Sequence, residues 1–156
     1  MSRVVFAVNR STTEIIESHL SAVEHLFHPP LAGRVDIAAY AAKLFDKAMR
    51  FEAWDGNRLT GLVAAYVDTA ARSFFITNVS TLPGYARCGI ASSLMHQCIE
   101  ALTGHATTSG FLKVHSSNRP ALHLYQQFGF EALETHDGVL TMKRPIAASG
   151  ASHEKP

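Results

Sequence analysis

The spacing of apolar and polar positions changes several times along the chain, and each change marks an element. Val4 to Val8 is a short apolar run, and Ser11-Thr12-Thr13-Glu14 after it has the form of a capping box. Ile16, Leu20, Val23 and Phe27 then recur at helical spacing, which predicts a first helix ending before His28-Pro29-Pro30. A second helix is predicted over about 36–47, with Ile37, Tyr40, Ala41 and Leu44 on its covered stripe and Lys43, Asp46 and Lys47 facing water. Strand-like runs follow. Phe51 to Trp54 and Leu59 to Asp68 flank the turn residues Asp55-Gly56-Asn57, and Ser73 to Leu82 comes next, together predicting an antiparallel meander.

Helical spacing returns from about Gly89 to Leu102, where Ile90, Leu94, Cys98 and Leu102 share a stripe and Gly104 supplies a stop. Phe111 to His115 reads as a strand. Asn118-Arg119-Pro120 leads a short helix whose Ala121, Leu124, Tyr125 and Phe128 share one face before Gly129 closes it. Two last runs, Phe130 to Glu134 and Gly138 to Arg144, flank His136-Asp137-Gly138, and the polar tail 147–156 is expected to be disordered. This order predicts an α+β fold in a single domain over 1–146. The strand at 111–115, reached through a crossover helix, should lie parallel to the strand at 74–80.

A length of 156 residues suits one domain with a real core, and 47% hydrophobic against 17% charged residues is a globular balance. No apolar run approaches the ~20 residues of a bilayer span, and the first residues lack the pattern of a signal peptide, so a cytoplasmic protein is expected. A net charge of +1 without a dense Lys/Arg run argues against a nucleic-acid partner. Cys88 and Cys98 form no disulfide framework, and the nine histidines show no metal-ligand spacing, so no metal is expected.

Residues 82–95, LPGYARCGIASSLM, place a Gly-bearing loop with one Arg directly ahead of an amphipathic helix. The first amides of a helix lack internal partners and its dipole favours negative charge, so such a junction suits an anion. There is no GxxxxGK[ST] and no GxGxxG. The amides from about Cys88 to Ala91, together with Arg87, match a diphosphate of modest charge, and Gly89 lets the main chain approach closely.

About thirty residues downstream stands NRPALHLYQQFGF, residues 118–130. With this second motif the chain resembles the GNAT superfamily of N-acetyltransferases, strongly over 74–130 and less so in the first 48 residues. The resemblance implies a central mixed, mostly antiparallel sheet flanked by helices, with acetyl-CoA as co-substrate. It implies that the pyrophosphate sits on the amides of Cys88, Gly89, Ile90 and Ala91 with Arg87 nearby, although the usual first Arg or Gln of the motif falls here on Ala86. It further implies that the backbone of Val79 and Thr81 pairs with the pantetheine arm as an added strand would. Asn118 would hold the cofactor or the loop, and Tyr125 would lie near the thioester sulfur.

Such a reaction needs a neutral amine, a donor for the developing oxyanion and a proton for the departing thiolate. Tyr125, a phenol, suits the last task. The base is less plain, because relatives that acetylate protein N-termini use a Glu in an LEV run where this chain reads Leu112-Lys113-Val114. The candidates are Glu52, His115, or water held by Asn78 and Ser80, of which Glu52 or water is favoured. Cys88 beside an Arg at a helix start is a candidate nucleophile, though a small residue in a tight loop is the preferred reading. Phe27, Tyr40, Phe51, Trp54 and Tyr66 offer aromatic surface for an acceptor pocket and read equally well as core.

The expected function is therefore transfer of an acetyl group from acetyl-CoA to a primary amine of a small molecule or peptide, by direct attack. The alternatives are a non-catalytic acyl-CoA-binding or sensing module and a site for another phosphorylated ligand, such as a sugar nucleotide. Exposed strand edges and apolar helix faces are compatible with a homodimer.

Overall fold

The computed structural model describes residues 3–27, 30–33, 35–103 and 107–145, so the polar tail and the stop at Gly104 lie outside the described residues. The elements follow in the order β1 (Val4–Val8), α1 (Thr13–Val23), α2 (Ile37–Lys47), β2 (Met49–Asp55), β3 (Arg58–Asp68) and β4 (Ser73–Thr81). Then come α3 (Ile90–Thr103), β5 (Ser109–His115), α4 (Arg119–Gln127), β6 (Glu131–His136) and β7 (Val139–Pro145). All seven strands join one sheet in the order β1-β2-β3-β4-β5-β7-β6, antiparallel throughout except for the parallel pair β4/β5. The α+β expectation and the predicted parallel neighbour are both met. β7 folds back between β5 and β6, an insertion that the hairpin pattern alone did not indicate.

Two cores form because the sheet is covered on both faces. On one, Ile16 and Leu20 of α1 and Ala41 and Leu44 of α2 bury Leu62 and Ala64 of β3. On the other, Ile90, Leu94, Met95, Cys98 and Leu102 of α3 and Tyr125 of α4 cover Phe51, Val63, Phe74 and Leu112. Close approach here depends on two glycines. A Cβ at Gly61 would stand 2.6 Å from Ile90 Cγ2, and one at Gly110 would stand 2.3 Å from the Phe74 ring.

The ends of the first helix differ from the sequence pattern in two respects. α1 is capped by Thr12, whose hydroxyl accepts from the Ile15 amide, because Ser11 is drawn into the sheet and donates to Glu52. The α-helical part of α1 also stops at Val23, and a single 3₁₀ turn, Glu24–Leu26, carries the chain on to Phe27.

The sheet is interrupted where it matters for chemistry. β3 and β4 pair in one register up to Ala64↔Asn78 and in another from Ala65↔Ile76, which leaves Thr77 as an extra residue. Such a bulge reverses the sense of alternation beyond it. Ile76 therefore packs with Leu112 and α3, whereas Asn78 and Ser80 stand opposite Ala64 and Leu62 on the face that α1 covers. The Tyr40 hydroxyl, 2.9 Å from the Thr77 carbonyl and 2.7 Å from its Oγ1, braces the bulge from α2. Pairing of β4 with β5 ends at Ile76↔Leu112, so the two strands diverge from there.

Candidate active site

The divergence of β4 and β5 opens a cleft of about 860 Å³, within the size range of small-molecule sites. Thr77 to Thr81 of β4 form one wall and Lys113 to His115 of β5 the other. Asn118, Leu124 and Tyr125 close it from α4, Val23, Leu26 and Phe27 from the end of α1, and the β6–β7 hairpin adds Glu134, His136 and Asp137. Among the described residues, the N–H and C=O groups that β4 would share with β5 have no partner strand beyond Ile76, so an extended ligand can take the missing place.

Val79, Thr81, Asn118 and Tyr125, expected together from the sequence, all line this cleft. Asn118 caps α4, its side-chain oxygen accepting from the Ala121 amide at 3.3 Å while its amide nitrogen remains for another contact. Tyr125 is 8% exposed and stacks edge-on against Phe130 at 6.4 Å. Burial raises the pKa of its phenol further above the ordinary value, so the hydroxyl keeps its proton at neutral pH and is a donor.

Arg87, Cys88, Gly89, Ile90 and Ala91 stand apart from the cavity wall, on the loop that continues from β4 into α3. Arg87 and Gly89 both adopt positive φ, +64° and +76°, and a Cβ at Gly89 would meet nothing within 4 Å. The first bond of this helix runs from the Ser93 amide to the Gly89 carbonyl, so the amides of Gly89 to Ser92 have no helical acceptor. Ile90 contributes a backbone amide only, its side chain being buried against Gly61. Cys88 is exposed, whereas Cys98 lies in the core, where burial pushes its thiol up to about 12.

Glu52 is where the structure departs most from the sequence expectation. Its side chain is fully buried and does not line the cleft. The carboxylate accepts from the Arg10 amide at 2.8 Å, from the Ser11 amide at 3.1 Å and from the Ser11 hydroxyl, and from Trp54 Nε1 at 3.1 Å, with Arg50 Nε 3.4 Å away. Arg50 in turn donates to the carbonyls of Leu44, Phe45, Ala48 and Ser11. With its oxygens already engaged, Glu52 ties the N-terminal segment to β2 and is not brought to the cleft where a base would act.

His115 does line the cleft, but its Nδ1 accepts from the Ser117 amide at 3.2 Å and lies 2.8 Å from the Ser117 hydroxyl, so the ring braces the turn before α4. Of the five aromatic residues considered for the acceptor pocket, Phe27 alone lines the cleft. Phe51 and Trp54 are buried in the sheet, and Arg10 lies over the Trp54 ring at 4.4 Å.

The sequence reading missed His19. It sits on the buried stripe of α1, with Nδ1 2.9 Å from the Leu59 carbonyl and Nε2 2.8 Å from Ser80 Oγ, directly behind the cleft wall. Burial lowers its pKa to about 4, partly opposed by the Leu59 carbonyl. Its place between Ile16, Leu20 and Val23 in the helical pattern was the available signal, a polar residue on an apolar face. Among the described residues, no group of three or more His, Cys, Asp or Glu converges as metal ligands, and no helix is long and apolar enough to cross a membrane.

Comparison with known proteins agrees with this architecture. The chain is similar over 94% of its length to the crystal structure of the ribosomal-protein-S18-alanine N-acetyltransferase from Escherichia coli, covering 96% of that chain at a TM-score of 0.75 and 20% identity. It is similar over 90% of its length to the PaiA N-acetyltransferase from Thermoplasma acidophilum in complex with coenzyme A, covering 99% of that chain at a TM-score of 0.72 and 15% identity. Ard1 from Thermoplasma volcanium is a third, with a TM-score of 0.73 at 17% identity over 92% of this chain and 99% of that one. No curated protein matches the sequence. A sequence model of the acetyltransferase (GNAT) family matches residues 17–130, and the chain belongs to that family.

Proposed function

We propose that the protein transfers an acetyl group from acetyl-CoA directly to a primary amine of a small molecule or peptide. The observation that carries this reading is the opening between β4 and β5, where an unpaired strand edge, a buried phenol and an apolar wall meet in one cleft. Two features of the chain fit coenzyme A. The amides of Gly89 to Ser92, with Arg87 beside them and open space over Gly89, suit the pyrophosphate. The edge of β4 at Val79 and Thr81 offers the donors and acceptors that the amide-bearing arm needs.

Bound acetyl-CoA would supply the thioester carbonyl and a thiol leaving group. Tyr125 then holds a proton at its hydroxyl for that thiol, which its raised pKa keeps in place. Val23, Leu26, Phe27 and Phe75 give the acceptor an apolar surface, and Glu134 and Asp137 place carboxylates on the same cleft, where a cationic amine gathers. Direct transfer is favoured because neither cysteine lines the cleft. With Glu52 engaged elsewhere, proton removal falls to water in the cleft.

Thermal unfolding with acetyl-CoA, CoA and ATP is the first test. Stabilisation by both CoA species and not by ATP is expected, and no shift with any of them would overturn the reading. Tyr125→Phe should then lower turnover by roughly 10²-fold or more while leaving CoA affinity unchanged. Binding without turnover by the unaltered protein, across a panel of small amines and peptides, would instead favour a sensing module.

A further inference from the structure

A buried line of polar contacts crosses from α1 to the cleft. His19, 3% exposed, bridges the Leu59 carbonyl and Ser80 Oγ, and Ser80 Oγ lies 2.8 Å from a terminal atom of the Asn78 side chain. Behind His19 is a second cavity of about 380 Å³, whose charged residues are Asp55 and Arg58. Asp55 accepts from the Tyr85 hydroxyl, and no carboxylate is bonded to the imidazole among the described residues.

Counting protons fixes the direction of every bond in this line. The Leu59 carbonyl only accepts, so Nδ1 of His19 carries the hydrogen. Burial without a carboxylate keeps the ring neutral at pH 7, which leaves Nε2 bare and able only to accept. Ser80 has a single hydroxyl proton, and His19 takes it. The Asn78 atom 2.8 Å from Ser80 Oγ must then be a donor, so it is the amide nitrogen, and the carbonyl oxygen occupies the other terminal position. That other position is buried and has no partner among the described residues, on a side chain that is 3% exposed and lines the cleft. A buried polar atom in this state is costly unless a ligand satisfies it.

We propose that neutral His19 sets the hydrogen-bond polarity of the cleft wall, so that Ser80 Oγ and the Asn78 carbonyl oxygen accept the N–H groups of the acceptor amine. The inference rests on the amine-transfer reading and deepens it, since a wall of acceptors selects a donor-bearing acceptor over an anionic one. His19 touches no substrate and acts as a positioning residue, whereas Ser80 and Asn78 make the contact.

Long-range ¹H–¹⁵N correlation on histidine-labelled protein reads the tautomer without any activity. His19 is expected in the neutral Nδ1–H form at pH 7, and an Nε2–H or doubly protonated ring would overturn the inference. Gln at position 19 can still donate to Leu59 and accept from Ser80, so His19→Gln should keep the KM for the amine near that of the unaltered protein. His19→Leu should raise that KM about tenfold with the acetyl-CoA Kd unchanged. Should His19→Leu fail to fold, Ser80→Ala, at a half-buried strand position, must give the same selective rise, and an unchanged amine KM in that variant would also overturn the inference. A protein that neither bound acetyl-CoA nor acetylated any amine would remove the proposed function and the amine's part here, while the tautomer would still decide the polarity of the wall.

Discussion

At the scale of single residues, burial separates the groups that hold the fold from those that face a ligand. Glu52 and Arg50 are a buried charge pair whose cost is met only because amides, a hydroxyl, an indole and several carbonyls share it. Removing one member strands the other, so Glu52→Ala should cost roughly 3–5 kcal/mol in chemical denaturation. Molecules that remain folded should keep their turnover, because the side chain stands away from the cleft. His19 gives a pH effect of definite sign. Its folded pKa of about 4 lies below the unfolded value of 6.5, so the unfolded chain binds the extra proton first. The stability from keeping it neutral is fully present above about pH 6.5 and is lost as pH falls towards 4, by up to roughly 3 kcal/mol at that site. Urea unfolding at pH 7 and pH 4.5 measures the loss, and His19→Gln should remove that component.

Among elements, the core on the α3 side of the sheet rests on the absence of side chains at two points. Gly61→Ala would push its methyl group into Ile90 at the first turn of α3, and Gly110→Ala would push into the Phe74 ring. Each should cost about 1–3 kcal/mol by overpacking, seen as a lower denaturant midpoint with an unchanged slope. Gly61→Ala has a second consequence, because the turn it displaces carries the free amides after Gly89, so CoA affinity should fall with it and not with Gly110→Ala. α4 depends instead on its cap. Asn118→Ala should lose about 1 kcal/mol from the unmet Ala121 amide.

For the molecule as a whole, two cores share one sheet, and the cleft sits where that sheet stops being continuous. A ligand lying between β4 and β5 would join the halves and should stabilise both together. Acetyl-CoA at 100 times its Kd should add ~2.7 kcal/mol, a rise in Tm of roughly 5–10 °C for a domain of this size. A single calorimetric transition that moves as a unit is the expected form of that result.

The sequence by itself determined the element types, the parallel β4/β5 pair, and the two motifs, one following each of those strands, the second of which carries Asn118 and Tyr125. Those features are local: periodicity, caps, turn residues and a crossover helix act over a few turns of chain, and their signals lie in neighbouring positions. Only the tertiary structure decided the rest. The extra residue at Thr77 turns Asn78 and Ser80 towards α1, and no composition signal announces which residue of a strand will bulge. Ser11 and Glu52 are 41 positions apart in the chain, and their bond makes Glu52 a fastening between the N-terminal segment and β2. His19 and Ser80 are 61 apart, and their bond gives a core histidine a hold on the cleft. Contacts at such separations follow from how the sheet is covered, and a side chain's chemistry is set by what burial leaves it to bond.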